Sequence, residues 1–151
     1  MTVSSGTTSA ASKHSMCVER WSSAQLAGTP ATGSASSASG APSATLTTAA
    51  ANSVVSWANG DWSGTDPATK VYRSSATEES VWFPAPAGDT TQYYAYQAAG
   101  SAGSQTFGLT APATQRFAIV GIEIQDAAGA ATVGQVIRRN PGRGLILRGR
   151  R

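Results

Sequence analysis

Residues able to do chemistry are few in this chain and widely spaced. His14 is the only histidine, and it stands beside Lys13 in a Ser/Thr-rich segment. A Ser–His–Asp site needs an imidazole held by a rigid scaffold, and a polar N-terminal segment offers none. Cys17 lies three residues further on. One histidine and one cysteine are not the converging ligand set that a metal takes, so no metal and no cofactor are expected. Glu78 and Glu79 are neighbours. On a strand they leave opposite faces, whereas paired acid/base carboxylates must converge on one bond. Asp61, Asp66 and Asp89 occur in Gly-, Pro- and Ser-containing stretches, where aspartate serves turn geometry. A calcium loop built on Asp61 and Asp66 would need six or more oxygens. No catalytic residue is assigned, and the chain is read as not an enzyme.

Two other groups of residues could bind. Trp57, Trp62, Trp82 and the cluster Tyr93, Tyr94 and Tyr96 could form a platform for sugar stacking. Large aromatics in β-proteins more often fill the core and pack at edges, and Trp62, in a polar loop, is the candidate glycan contact. The second group is cationic. Residues 1–126 hold five Lys/Arg against eight Asp/Glu, a net of −3, while residues 127–151 hold six Arg and no acid, a net of +6. Within that tail, Val136, Ile137, Arg138 and Arg139 form one apolar-then-basic unit, and Leu145, Ile146, Leu147 and Arg148 form another. Asn140-Pro141-Gly142 between them is a turn signal. With Arg143, Arg150 and Arg151 these residues read as a docking arm, able to add as a strand to a partner. The apolar anchors favour an acidic protein surface. Nucleic acid is less favoured, because neither interleaved aromatics nor a known nucleic-acid fold accompanies the arginines.

The elements that must position these residues are strands. The chain has 151 residues, enough for one domain with a core, and only 13% are charged. Every Trp, Tyr and Phe lies between Trp21 and Phe117, so the core belongs to the middle of the chain. The most apolar stretch runs from Phe107 to Gln125. Phe107 and Leu109 precede an Ala111–Pro112 break, and Phe117-Ala118-Ile119-Val120 with Ile122 and Ile124 follow it. That near-continuous run predicts a strand in the middle of a sheet, buried on both faces. Further strands are expected at 15–22, 44–48, 52–59, 69–74, 80–83 and 91–98, the last with Tyr94 and Tyr96 on one face and Tyr93 on the other. Residues 27–43, rich in Gly, Pro and Ser, read as a long loop, and Asn59-Gly60-Asp61 as a tight turn. Turn signals every 8–15 residues, with no amphipathic helix between strands, indicate an antiparallel sandwich. The expected organisation is a flexible segment at 1–15, a β-sandwich domain at 16–126, and a linker with the Arg-rich arm at 127–151. No apolar run approaches the roughly 18 residues of a membrane helix, and the first residues lack the apolar core of a signal peptide. No membrane association is expected.

Three segments carry a resemblance: Ser53–Arg73, with Val55, Trp57, Asp61 and Trp62; Tyr93–Pro112, with A-G-S-Q-T-F-G-L-T-A-P from Ala102; and Phe117–Ile124, with I-V-G-I-E-I from Ile119. Together they resemble the jelly-roll, concanavalin-A-like β-sandwich modules of actinobacteria and their tailed bacteriophages, over roughly residues 16–125. These are packing and turn motifs, which speak for fold more than for function. The resemblance implies an all-β, antiparallel jelly-roll-like sandwich with an extended basic C-terminal arm. It also implies a virion component, made in a host cytoplasm: a minor tail, minor capsid or decoration protein. The expected partner is the major capsid or tail protein of the same particle. Family members carry further strands ahead of the segment matching Cys17–Trp21. The resemblance therefore implies strands supplied by another chain, or an incomplete sandwich with open edges, and in either case a homo-oligomer or larger assembly.

Overall fold

In the computed structural model, residues 16–22, 24–25, 29–83 and 90–126 are described, together with the backbone of 132–140 and 143–147. Every strand pairing is antiparallel. The strands are β1 (Cys17–Ser22), β2 (Thr32–Ser37), β3 (Ser43–Thr48), β4 (Val54–Asp61), β5 (Val71–Tyr72), β6 (Thr77–Trp82), β7 (Thr91–Ala98), β8 (Gly103–Ala111), β9 (Phe117–Ile124), β10 (Thr132–Asn140) and β11 (Arg143–Leu147). A single 3-10 turn, Pro67–Thr69, precedes β5. Among the described residues there is no α-helix.

The strands make three sheets. A five-stranded sheet runs β2-β9-β4-β7-β6, a three-stranded sheet runs β3-β8-β5, and a second three-stranded sheet runs β1-β10-β11. From β2 to β5 the chain changes sheet at every connection, and it does so again at β6, β8 and β9. This alternation makes the jelly-roll sandwich expected from the sequence. Strands β2 to β9 build both of its sheets from within the chain. The second sheet is the smaller because β6 pairs with β7 and not with β5.

Alternation along each strand fills the space between the sheets. Val55 and Trp57 of β4, Tyr93 and Ala95 of β7, and Phe117 and Ile119 of β9 face Ala44 and Leu46 of β3 and Phe107 and Leu109 of β8. Each large apolar side chain so buried contributes roughly 1.5–3 kcal/mol. Trp57 lies 6.4 Å from Phe107, centroid to centroid, and 5.8 Å from Tyr72. The fit is close at Gly121, where a Cβ atom would stand 2.6 Å from Cζ of Phe107. The glycine lets the phenyl ring lie directly on β9.

Three expectations need correction. Strand β9 is internal, flanked by β2 and β4, but it is buried on one face only. Val120 is 56% and Ile122 38% exposed on the other face. The apolar run at Phe117–Ile124 therefore serves an inner core and an outward surface. Residues 27–43 are not all loop, since β2 lies within them and pairs along its length with β9. Its sequence, T-G-S-A-S-S, has no large side chain because it crosses closely over β3. A Cβ atom at Gly33 would come 2.5 Å from the Thr45 carbonyl oxygen. Finally, Asn59-Gly60-Asp61 is no turn. All three residues continue β4, paired with β7 on one side and β9 on the other, and the chain turns only at Trp62.

Candidate docking site

The carboxylates Asp61, Asp66 and Glu78 are held by the fold. Asp61 is fully buried. Its Oδ1 accepts the Ser63 N–H at 2.8 Å and its Oδ2 the Thr65 N–H at 3.0 Å. Asp66 Oδ1 accepts from the Ala68 N–H at 2.8 Å and caps the 3-10 turn. Both aspartates thus brace the loop after β4, as turn aspartates do. Glu78, on the exposed face of β6, meets Lys70 Nζ at 3.2 Å and accepts from the Tyr72 hydroxyl at 3.0 Å. Burial, then the neighbouring Glu78 charge, pushes the Tyr72 phenol far above its usual range. Glu79, its neighbour, is buried. Among the described residues no group of three or more His, Cys, Asp or Glu converges to hold a metal ion. His14 and Asp89 lie outside the described residues.

One buried carboxylate was not singled out from the sequence. Glu123, on β9, is 1% exposed. Its Oε1 accepts the backbone N–H groups of Ala49 and Ala50, both at 3.0 Å. Its Oε2 accepts from Gln125 Nε2 at 3.1 Å and from the Ala31 N–H at 3.4 Å. Burial acts to raise its pKa. The hydrogen bonds from Gln125, Ala50, Ala49 and Ala31 outweigh it and hold the group below its ordinary value. The signal was available in register: Phe117, Ile119, Gly121 and Glu123 share the inward face, and a charge there must be matched by donors. A second buried polar group lies among β4, β7 and the loop before β9. Asn59, Asp61, Thr91, Tyr93 and Gln115 are all buried, and Asn59 Nδ2 reaches Gln115 Oε1 at 3.5 Å. Burial and the Asp61 charge push the Tyr93 phenol above its usual range, and Gln115 eases the shift without completing a hydrogen bond.

The aromatics divide as the core-packing reading expects. Trp57 and Tyr93 are buried, while Trp82, Tyr94 and Tyr96 are half-buried. Tyr93 faces inward, and Tyr94 and Tyr96 lie on the opposite face of β7. Trp62 is 57% exposed. Its backbone N–H donates to the Arg116 carbonyl at 2.8 Å, which fixes the loop beneath it.

The outward face of the five-stranded sheet is partly covered by β1. The Trp21 ring stands edge-on to Tyr96, with centroids 5.5 Å apart. Glu19 Oε2 accepts from Ser56 Oγ at 2.7 Å and from Trp21 Nε1 at 3.0 Å. Beside β1 an open groove of about 570 Å³ remains, lined among others by Cys17, Glu19, Ser56, Tyr94, Val120 and Ile122. The C-terminal segment joins the structure here. Strand β10 pairs with β1 from Cys17↔Arg138 to Ser22↔Thr132, with a register shift between Arg20 and Trp21. Strand β11 pairs in turn with β10, from Asn140↔Arg143 to Ile137↔Leu147. Of the arm residues, Val136, Ile137, Arg138 and Arg139 lie on β10, and Arg143, Leu145, Ile146 and Leu147 on β11. Arg148, Arg150 and Arg151 lie outside the described residues. The arm's backbone is thus a hairpin laid against the chain's own first strand. Among the described residues, β1 is the one element outside the hairpin on which it packs extensively. No family model, no curated protein and no solved structure matches the sequence.

Proposed function

We propose that this chain is a non-enzymatic structural component of a bacteriophage virion, a capsid decoration or minor capsid protein that docks on the major capsid protein through its C-terminal arm. The observation that carries the reading is the separation of parts. Strands β2 to β9 close a sandwich of their own, and the β10–β11 hairpin, which holds Arg138, Arg139 and Arg143, stands outside it, paired to β1. A sandwich that does not need this segment for its core leaves it available for a partner. The docking chemistry is burial of Val136, Ile137, Leu145, Ile146 and Leu147, with the arginines pairing to acidic groups of the lattice. The sequence resemblance to phage β-sandwich modules supports the same assignment. Deleting residues 132–151 is expected to abolish incorporation into particles. Full occupancy by the truncated chain refutes the anchoring role.

A tail-associated or carbohydrate-binding module is the second reading, favoured by one observation. Trp62 is more than half exposed on a loop braced by Asp61 and Arg116, a setting suited to stacking on a sugar face. Copy number per purified particle separates capsid from tail, with hundreds of copies for the first and a handful for the second.

A further inference from the structure

We propose that the β10-facing edge of β1 is an exchange seat, so that the β10–β11 hairpin of one copy pairs with β1 of a neighbouring copy. The inference goes beyond the particle reading and does not rest on it, since exchange requires only a second copy of this chain.

Four observations lead to it. The β1–β10 pair joins two segments far apart in the chain, Cys17–Ser22 and Thr132–Asn140, by a ladder of backbone pairings. The hairpin's extensive packing is on β1 alone among the described residues, so moving it to another copy's β1 loses no other extensive contact. Strand β1 touches the sandwich at Trp21–Tyr96 and Glu19–Ser56, contacts that do not involve the hairpin. The connection into β10 is Ala127-Ala128-Gly129-Ala130-Ala131, with no large side chain to anchor it to the body. Charge complements the exchange. The hairpin-bearing tail carries +6 and the remainder of the chain −3, and Glu19 stands in register with Val136, two positions along the ladder from the Cys17↔Arg138 pair. A tail of one copy therefore meets an oppositely charged body in the next.

Closed and exchanged forms make the same β1–β10 contacts, so the balance between them is set by concentration. A short intramolecular link sets an effective concentration on the order of millimolar. Exchange overtakes closure as copies are crowded to that level, as they are on an array.

The register supplies the test. Cys17, the only cysteine, pairs with Arg138. Cα atoms opposed in an antiparallel ladder are about 4.5–5.5 Å apart, within reach of a disulfide. Full-length Arg138→Cys is prepared in light and in 15N-labelled form. The two are mixed one to one, refolded together over a range from about 10 µM to about 1 mM, oxidised and digested. Exchange predicts light–heavy hybrid peptides bridging Cys17 to the introduced thiol, rising with concentration towards half of all bridged peptide. Bridges that stay light–light and heavy–heavy at every concentration overturn it. Light scattering on the unsubstituted chain guards against a folding defect in the variant. A mass that climbs above the monomer across the same range supports exchange, and a constant monomer overturns it. A particle that incorporates the chain with intrachain bridges only would refute exchange while leaving capsid docking in force.

Discussion

Replacing Glu123 tests the internal logic of the sandwich most directly. Its carboxylate ties β9 to two places distant in sequence, the turn at Ala49 and Ala50 and the entry to β2 at Ala31. Glu123→Ala strands two N–H donors that now bond at 3.0 Å and a third at 3.4 Å. Hydrogen bonds to a charged group contribute about 1.5–3 kcal/mol each. The third is too long to count fully. Two full bonds and a weak one give a destabilisation of about 4 kcal/mol. For a sandwich of this size that lowers Tm by roughly 20 °C. Glu123→Gln keeps one carbonyl oxygen for Ala49 and Ala50 but turns an amide NH2 towards the donors of Ala31 and Gln125, for a loss of about 2 kcal/mol. The pH dependence has a fixed sign. A carboxyl whose folded pKa is depressed contributes its full stability above the unfolded value of about 4.3. It loses that contribution as pH falls through the folded pKa. Urea unfolding of wild type and Glu123→Gln is therefore expected to show a gap at pH 7 that narrows as the pH falls below the unfolded value and through the depressed folded pKa. A Glu123→Ala protein within about 0.5 kcal/mol of wild type, or a gap that persists unchanged into acid, refutes the assignment of a charged, backbone-bound Glu123.

Further outcomes follow from the same contacts. Gly121→Ala pushes a methyl group into the Phe107 ring and is expected to cost about 2 kcal/mol by overpacking. Gly60→Ala, where a Cβ meets nothing within 4 Å, serves as its control and should stay within about 0.5 kcal/mol in the same unfolding assay. Glu78→Gln removes a half-exposed pair with Lys70 and should cost less than about 1 kcal/mol, shrinking further in high salt. Trp62→Ala should leave Tm unchanged. If the glycan reading holds, it eliminates binding on a glycan array, and binding that survives the substitution removes Trp62 from that role.

What could be read from the sequence tracks side-chain size. Strands β4, β7, β8 and β9 carry Trp57, Tyr93, Phe107, Leu109 and Ile119 at inward registers, and alternation of such residues against polar ones is the period-two signal itself. Strand β2 escaped because its backbone pairs with β9 while its Gly, Ala and Ser side chains give no amplitude to that signal. Its small residues answer a steric demand from β3 that only the fold reveals. Asn59-Gly60-Asp61 misled for the converse reason, since turn-prone residues were placed inside a strand with a neighbour on each side. Among the site residues, the exposure of Trp62 and the bracing role of Asp61 and Asp66 were legible from their loop chemistry. Glu123 was not, because its role depends on three backbone donors brought in from remote parts of the chain. The partner of β10 was equally hidden. Strand pairing between residues 17–22 and 132–140 is set by topology, which local composition does not encode.

The geometry of the β1–β10 ladder also fixes how tension would travel through the molecule. Cys17 and Arg138 lie at the same end of the ladder, and β11 doubles back from that end. A pull applied ahead of Cys17 and beyond Leu147 would load backbone hydrogen bonds in succession, peeling the small sheet like a zip at low force. The jelly roll, whose strands interlock across two sheets, would feel no strain until that sheet had opened. The terminal sheet would act as a mechanical fuse, yielding and re-forming while the body it is joined to keeps its shape.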